Sequence, residues 1–536
     1  MLIAFMHRLP RWLVTTFIVI AGLALAVGSA LAQGRPYGFV YLMGGDTVGV
    51  ERVTPLGTTM MGDIRMRGQG RLEWRATLPS PGQVSSVTIL AYREAKADAP
   101  LVQRAVLRLV GDSAVAEITG PTGASSTQRF KTSANAFMLV NASAGMIDIA
   151  LMRARLTPGA VDTIPVFLTT GGQTVPSILT TSTDSATWSL GGQVSQLKLT
   201  NGRLREAFVA AQNFRMVRVE GAALDGLALA APDYSAPAGA PYRAERVTVP
   251  GRDGHTLVGT LTTPQGASER LPVVVTISGS GPQDRDEYIP IVPGFRPFRQ
   301  LADTLGRHGI AVLRLDDRGT GESGGSFAGS TSADFANDVR DAVRWLRARP
   351  GIDPSRVFLL GHSEGGLIAP MVAADDPQLA GIVVLAGPSR NGLDIVKFQQ
   401  RYAIEHDTNY AAPARRDSAL RAAAAAVEQL GRSDKWMGYF FSYDPIPAAK
   451  RVKVPVLIAH GGTDQQVTAE QAEQLGAAMR SGGNTNVTVT VFPGLNHLFL
   501  PDATGNPANY TSIKDGHIGA NVMGPILDWL LAHARR

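Results

Sequence analysis

The chain of 536 residues contains no cysteine. This absence excludes disulfide bonds, thiolate metal sites, a cysteine nucleophile and a lipid-modified N-terminal cysteine. The formal net charge is +6, but the chain has no lysine and arginine run and no basic stripe with interspersed aromatic residues. We therefore expect no nucleic-acid partner. Histidine, aspartate and glutamate do not cluster at metal-site spacings, so we expect neither a metal nor an organic cofactor.

Long hydrophobic runs are also scarce, and the one that stands out is N-terminal. Residues 1–32 combine a basic start, an apolar stretch from about Trp12 to Val27, and small residues at Ala30 and Ala32. This pattern is typical of a signal peptide cut after Ala32 and predicts an exported protein, periplasmic or secreted. The alternative is an uncleaved anchor, since the stretch approaches the ~20 residues that span a bilayer. No later segment is long and apolar enough to span, so we expect no membrane association after cleavage.

Residues 33–235 alternate apolar and polar side chains over short runs. Examples are 47–54, 71–78 and 106–110, and clusters of Gly, Asp, Ser and Pro separate many of these runs. The pattern predicts an all-β N-terminal module, either a sandwich or an open barrel. No repeat of blade length is present, which argues against a propeller. The sequence leaves open whether the module is a scaffold or binds a ligand or gates substrate.

The pattern changes after a Pro/Ala/Gly-rich stretch that predicts a linker at 236–241. From residue 242 to 536, apolar strand-like runs alternate with helical segments, which predicts an α/β domain whose mostly parallel sheet is buried on both faces. The expected strands after an initial hairpin are 273–277, 310–315, 357–360, 381–385, 454–459 and 487–491. The expected helices are 298–307, 332–349, 365–374, 469–480 and 518–535.

A Gly-His-Ser-Glu-Gly motif at 361–365 joins the strand at 357–360 to the next helix. On such a turn a serine is held out at the top of the sheet, and the flanking glycines avoid collisions with the neighbouring backbone. Ser363 is therefore the candidate nucleophile. His362, beside it, is expected to point into the sheet.

A serine hydroxyl needs a base within hydrogen-bond reach, and the base needs an orienting group. Asp464 follows one predicted strand on a glycine turn, and His497 follows the next. Either residue alone is more simply explained as a turn aspartate or a loop histidine. The order Ser363, Asp464, His497, each at a strand end, predicts a catalytic triad. For the oxyanion we expect the backbone N–H groups of Glu364 and Ser280, with Gly281 as the close alternative to Ser280.

Residues 242–536 resemble the α/β-hydrolase superfamily. The residues that carry the resemblance are Gly-Ser-Gly-Pro-Gln-Asp-Arg-Asp at 279–286, Asp-Asp-Arg-Gly-Thr-Gly-Glu-Ser at 316–323 and the serine motif. The first is similar to the oxyanion loop of bacterial exported serine esterases and related prolyl-peptidase-like hydrolases. The resemblance implies hydrolysis of a carboxylic ester through an acyl-enzyme. It does not reach the N-terminal module.

A helical insertion at about 388–452 is expected to form a cap above the active-site edge. Its aromatic residues Trp436, Phe440 and Phe441 either line a substrate pocket or hold the cap to the body. A pocket of this kind would favour short to medium acyl chains on a small-molecule ester.

Three alternatives to an esterase stay open. The triad is equally compatible with a thioesterase and with a serine exopeptidase or amidase, although the chain shows neither a propeller nor an acidic pair that would capture a free amine. An envelope-polymer binding protein with a silent hydrolase fold is the alternative from another class. The sequence does not determine the oligomeric state.

Overall fold

The computed structural model of the protein describes residues 34–67, 70–92, 99–141, 143–154, 159–266 and 269–535. The predicted signal peptide and its cleavage site lie outside the described residues. The chain divides after Ala230 into two compact units. The domain limits expected from the sequence, including the linker at 236–241, stay predictions. Within the described ranges, no helix has the length and apolar character needed to cross a membrane.

Fifteen strands form one sheet in the described part of the N-terminal unit. They are β1 Tyr37–Met43, β2 Asp46–Leu56, β3 Thr59–Met66, β4 Gly70–Thr77, β5 Ser86–Tyr92, β6 Leu101–Val110, β7 Ser113–Thr119, β8 Ser125–Lys131, β9 Phe137–Leu139, β10 Val161–Leu168, β11 Gln173–Thr181, β12 Ser185–Leu190, β13 Gln193–Thr200, β14 Arg203–Val209 and β15 Phe214–Val219. The order across the sheet runs from β8 down to β1, then from β15 down to β9. Strands β1 and β15 pair antiparallel, whereas β9 and β10 pair parallel.

This sheet curls back on itself. The ring of Phe130 on β8, at one edge, lies 5.9 Å from the ring of Phe167 on β10, next to the other edge. Thr174 Oγ1, at the start of β11, donates to Thr132 Oγ1 just after β8, at 2.7 Å. The choice between a sandwich and an open barrel stays a prediction. The predicted all-β character of the module is confirmed.

A helix that the sequence pattern did not predict lies against the inner face of this sheet. Helix α1, Ala144–Arg153, is buried at every position from 144 to 151, and a short helix α2, Ala222–Asp225, follows β15. The segment is apolar nearly all round, so it lacks the one-sided period by which a surface helix is recognised. Its one acidic residue, Asp148, is paired with Arg203 and Arg218. Because α1 occupies the interior, a ligand bound there would have to displace it.

Glu51 on β2 anchors the start of α1. Its side chain is fully buried, and one carboxylate oxygen accepts hydrogen bonds from Trp74 Nε1 at 2.9 Å and Ser143 Oγ at 2.6 Å. The other oxygen accepts from Tyr41 Oη at 2.6 Å and from the Gly145 N–H at 2.9 Å. Burial raises the pKa of Glu51, and these donors counteract part of that rise. The carboxylate thus caps the helix and joins three strands to it.

Replacing this carboxylate should destabilise the protein. In Glu51→Gln the amide group turns an N–H toward another donor, so we expect the free energy of unfolding to fall by about 2–3 kcal/mol. Urea unfolding of the full chain, followed by circular dichroism, measures it. The matched control is Glu117→Gln on β7, because Glu117 is half exposed and pairs with Arg108 at the surface. That control should change stability by less than about 0.5 kcal/mol. Equal effects of the two variants would contradict the anchoring role.

The C-terminal unit contains an eight-stranded sheet of mostly parallel strands. The strands are β16 Tyr242–Pro250, β17 Thr256–Pro264, β18 Leu271–Ile277, β19 Ala311–Leu315, β20 Ile352–His362, β21 Gly381–Leu385, β22 Val456–Gly461 and β23 Val487–Phe492. The order is β16-β17-β19-β18-β20-β21-β22-β23. Strand β17 pairs antiparallel with both β16 and β19, and the remaining pairs are parallel.

Helices cover both faces of this sheet. Those that flank it are α3 Pro297–Arg307, α4 Ser332–Arg347, α5 Glu364–Ala373, α10 Glu470–Ser481 and α11 Ala520–Ala534, and those between β21 and β22 are α6 Gly392–Glu405, α7 Pro413–Ser433, α8 Lys435–Ser442 and α9 Ile446–Arg451. Along β18, Val273 and Val275 join one hydrophobic core, whereas Val274 joins the core on the opposite face. The α/β architecture predicted for this part of the chain is confirmed.

Candidate active site

Ser363 occupies a strained turn between β20 and α5. Its φ and ψ are 53° and −114°, a backbone conformation that L-residues adopt only where the surrounding structure imposes it. A Cβ at Gly361 would lie 2.0 Å from the Gly365 carbonyl oxygen, and a Cβ at Gly365 would lie 2.1 Å from that of Ile277. Both flanking positions therefore require glycine, as the motif suggested. The turn is held by the Ser363 N–H, which donates to the Leu385 carbonyl at 2.8 Å.

Asp464 and His497 meet at the same edge of the sheet, after β22 and β23. The His497 Nδ1–H donates to Asp464 Oδ2 at 2.7 Å, which leaves Nε2 as the basic nitrogen of the ring. The other oxygen of Asp464 accepts the N–H groups of Gln466 at 2.7 Å and Val467 at 3.0 Å. Within the described ranges no hydrogen bond joins the Ser363 hydroxyl to another residue. Contacts of this kind often form only in the substrate complex.

A second histidine also contacts Asp464. His460 Nε2 lies 2.7 Å from the Val467 carbonyl oxygen and 3.2 Å from Asp464 Oδ2. Both of these oxygens can only accept a hydrogen bond. The Nδ1 of His460 is buried and has no partner among the described residues. Because both contacts are acceptors, Nε2 carries a proton. The Asp464 carboxylate thus receives two backbone and two side-chain hydrogen bonds.

These surroundings separate the pKa values of the acid and the base. Burial alone would raise the pKa of Asp464, but the charge of His497 and the hydrogen bonds from His460 and His497 outweigh it and hold the pKa low. Burial lowers the pKa of His497, and the attraction of Asp464 compensates only in part. At neutral pH the geometry therefore favours an ionised Asp464 beside a neutral His497, which is the state a general base requires.

The loop after β18 passes directly over the serine. A Cβ at Gly279 would lie only 3.2 Å from Ser363 Cβ. The Gly279 N–H is already taken by Glu287 Oε1 at 2.8 Å, so it is not free for an oxyanion. Glu364 is the first residue of α5, where an amide N–H has no partner within the helix. Ser280 and Glu364, with Gly281 as the alternative to Ser280, stay the predicted donors.

Acidic and basic residues fix the shape of this loop. Asp317 accepts from Ser278 Oγ at 2.8 Å and from the Gln283 N–H at 2.9 Å, and burial raises its pKa. Arg285 is 1% exposed and bonds both oxygens of Asp316, at 3.0 and 2.6 Å. Asp317 therefore holds the loop, and the acid that bonds His497 is Asp464.

Glu364 links the serine turn to the insertion between β21 and β22. Its side chain is buried, and Oε1 accepts from Ser332 Oγ at 2.6 Å and from Trp436 Nε1 at 2.8 Å. Burial raises the pKa of Glu364. Trp436, predicted as a pocket residue, therefore lies beside the serine turn.

The other two predicted pocket residues have packing contacts. The Phe440 ring is buried and lies parallel to Trp436, with ring centroids 5.8 Å apart. A Cβ at Gly392 would be 2.1 Å from the Phe440 ring, and one at Gly431 would be 2.6 Å from the Phe441 ring. These contacts lie within the insertion, so a substrate pocket and attachment of the cap to the body both stay predictions.

Two residues that the sequence did not assign to the site link its parts. Glu287 Oε1 accepts from the Gly279 N–H and also lies 2.8 Å from His362 Nδ1. His362 Nε2 lies 3.0 Å from the His497 carbonyl oxygen. His362 thus faces the base loop and does not simply pack into the sheet. Glu287 lies one residue beyond the loop motif, and no spacing in the sequence signals its contact with His362.

Within the described ranges, no three side chains of histidine, aspartate and glutamate come together in a way that could hold a metal ion. The arrangement as it stands can perform acid–base and nucleophilic chemistry with protein groups.

The chain is similar to several known proteins. A model of the prolyl oligopeptidase family matches residues 297–515. The esterase EstD of Thermotoga maritima is 31% identical over 309 residues, which is 56% of this chain and 70% of EstD. Dipeptidyl aminopeptidase BIII of Pseudoxanthomonas mexicana is 26% identical over 275 residues, 47% of this chain, and the match spans only 35% of that enzyme. The esterase Pf2001 of Pyrococcus furiosus aligns in structure with a TM-score of 0.39 at 16% identity, covering 57% of this chain and 98% of that one.

The shared length with EstD and the sheet order described above point to the same conclusion. The chain belongs to the α/β-hydrolase superfamily of serine hydrolases, in the family that includes the esterase EstD.

Proposed function

We propose that the protein is an exported hydrolase that cleaves carboxylic esters with short to medium acyl chains through an acyl-enzyme. The observation that carries the proposal is the 2.7 Å bond from His497 Nδ1 to Asp464, which directs Nε2 of a neutral histidine away from the acid. The strained turn at Ser363 supports it, because it holds a hydroxyl at the same sheet edge. Export rests on the leader pattern alone.

In the proposed mechanism, His497 Nε2 takes the proton of Ser363 as its oxygen attacks the ester carbonyl. The N–H groups of Ser280 and Glu364 bind the oxyanion that forms. His497 then gives the proton to the leaving alcohol, and an acyl-serine remains. Water repeats the sequence with His497 as base, and the acid is released. Asp464 keeps the proton of His497 on Nδ1 throughout and stabilises the positive charge that forms on the ring.

The preference for esters rests on the relative named as an esterase, because this chain covers 70% of it. The prolyl oligopeptidase family match over 297–515 favours a second candidate, a serine peptidase or amidase. The preference for short to medium acyl chains rests on the aromatic residues of the insertion, of which Trp436 bonds Glu364 beside the serine turn.

A substrate panel separates these candidates. We expect the purified protein to hydrolyse p-nitrophenyl acetate, butyrate and octanoate with higher kcat/KM than the palmitate, and to leave aminoacyl and dipeptidyl anilides nearly untouched. Thioester analogues of the same acyl chains belong in the panel. Anilide turnover above ester turnover would overturn the ester proposal, and a palmitate optimum would overturn the chain-length preference. Ser363→Ala in the same assays identifies turnover that does not come from this site.

A further inference from the structure

Each ring nitrogen of His362 lies within hydrogen-bond distance of an acceptor oxygen. Nδ1 lies 2.8 Å from Glu287 Oε1, and Nε2 lies 3.0 Å from the carbonyl oxygen of His497. A backbone carbonyl can only accept, so Nε2 must carry a proton. A carboxylate can only accept as well, and Glu287 Oε1 already accepts the N–H of Gly279. With an ionised Glu287, both nitrogens of His362 are protonated and the ring is an imidazolium ion.

The neighbouring His460 shows the contrast. Only its Nε2 faces acceptors, and its Nδ1 has no partner among the described residues. The acceptors around His460 thus require one ring proton, whereas those around His362 require two. The two histidines flank the catalytic region from the ends of β22 and β20.

We propose that His362 is a positioning residue that stays positively charged, paired with Glu287, and that the pair ties the oxyanion loop to the catalytic base. The inference rests on the proposed function, since it gives His362 and Glu287 a role in that reaction. Glu287 holds the loop through the Gly279 N–H, and His362 holds the His497 backbone. One buried pair thereby fixes the distance between the oxyanion donors and the base.

The charge on His362 also acts on the base directly. The rings of His362 and His497 are 4.9 Å apart, so a positive His362 opposes protonation of His497. The charged and titratable groups that face His497 are Asp464 from the loop after β22, His460 from β22 and His362 from β20. Those that face His362 are Glu287, His497 and, farther away, Asp464. Glu287 and its hydrogen bond raise the pKa of His362 despite burial, in agreement with the proton count.

Backbone strain and burial of charge at Glu287 accompany this pair. Glu287 is 1% exposed and has a φ of 53°, a region that favours glycine. Its Oε2 is buried and has no hydrogen-bond donor among the described residues, so the carboxylate depends on the His362 proton for compensation. Backbone strain of this kind is typical of residues that a site requires.

A pH profile of the full-length protein tests the charge. In His362→Asn the amide keeps a donor for Glu287 but removes the positive charge. We expect the acidic limb of kcat/KM on p-nitrophenyl butyrate to move to higher pH by about 0.5–1 unit, because the pKa of His497 rises. Glu287→Gln should shift the limb in the same direction, since His362 then loses its counter-charge and becomes neutral. The control is His308→Asn, an exposed histidine on a helix end that should shift nothing. If both variants lower kcat but leave the acidic limb of the pH profile where it is in the wild type, the pair is only a structural contact and the proposal is overturned.

A second measurement is independent of activity. Nitrogen-15 NMR of the histidine-labelled protein at pH 8 should show one histidine with protons on both ring nitrogens. That signal should be absent from His362→Asn or, if this variant does not fold, from Glu287→Gln. A wild-type spectrum without such a histidine would overturn the proposal whether or not the protein hydrolyses esters. If the wild-type protein shows the doubly protonated histidine but hydrolyses no ester, only the proposed function is overturned.

Discussion

Ser363→Ala is expected to lower kcat/KM for p-nitrophenyl butyrate by roughly 10⁴-fold or more while the protein stays folded. The hydroxyl is the atom that forms the acyl-enzyme, and the side chain makes no hydrogen bond within the described ranges that folding would lose. Steady-state kinetics and circular dichroism measure the two effects. The residual rate should come from binding and from the oxyanion donors.

The matched control is Ser433→Ala. Ser433 is exposed at the end of α7 and bonds only the backbone of its own helix among the described residues. We expect its kinetics to equal those of the wild type. A Ser363→Ala protein that keeps more than about a tenth of the activity would place the nucleophile elsewhere.

Asp464→Asn is expected to lower kcat by roughly 10³–10⁴-fold. The asparagine amide group can turn an N–H toward His497 Nδ1, which then has to accept, so the proton moves to Nε2 and the base is lost. The N–H groups of Gln466 and Val467 still find the amide oxygen, so the turn should persist. Single-turnover kinetics with a p-nitrophenyl ester measure the chemical step directly.

His460→Gln is the matched comparison for that variant, because His460 also contacts Asp464, at 3.2 Å. A glutamine retains an N–H donor, and the ring is not the base, so we expect a loss of less than about tenfold. If His460→Gln cost as much as Asp464→Asn, His460 and not His497 would be the stronger candidate for the base.

Asp464 should also make the free energy of unfolding depend on pH. Its pKa is held below the value of an unfolded chain, so it contributes stability above the unfolded pKa of about 4 and loses it as pH falls further. We expect the free energy of unfolding of the wild type to fall more steeply below pH 4 than that of Asp464→Asn. Parallel curves in acid denaturation would contradict the low pKa.

The sequence predicted the C-terminal unit well because its signals are local. Apolar runs such as Val357 to Leu360 end in turns whose chemistry is readable, and the glycine at 361 is required by a contact within the same turn, with the Gly365 carbonyl oxygen. Parallel strands also bring their carboxyl ends to one edge, so Ser363, Asp464 and His497 could be brought together without knowledge of the pairing. The predicted strands and helices of this unit agree with the observed ones to within a few residues at most ends.

What the sequence did not reveal depends on distant contacts. Helix α1 is buried at every position from Ala144 to Leu151, so its apolar residues do not follow the one-sided period of a surface helix. Glu51 holds that helix from 92 residues away in the chain, through Ser143. Glu287 and His362 are 75 residues apart, and each has a simpler reading alone. The contact between Trp436 and Glu364 also joins distant residues, because it depends on how the insertion folds back over the serine turn.

The most direct test of the account is covalent labelling of the serine. The purified full-length protein is treated with a fluorophosphonate probe at neutral pH, and the modified peptide is located by mass spectrometry. We predict one modification, on Ser363, that is abolished in Ser363→Ala and slowed strongly in Asp464→Asn. An unlabelled protein that is folded, or a label on a different residue, would contradict the assignment of Ser363 as the nucleophile.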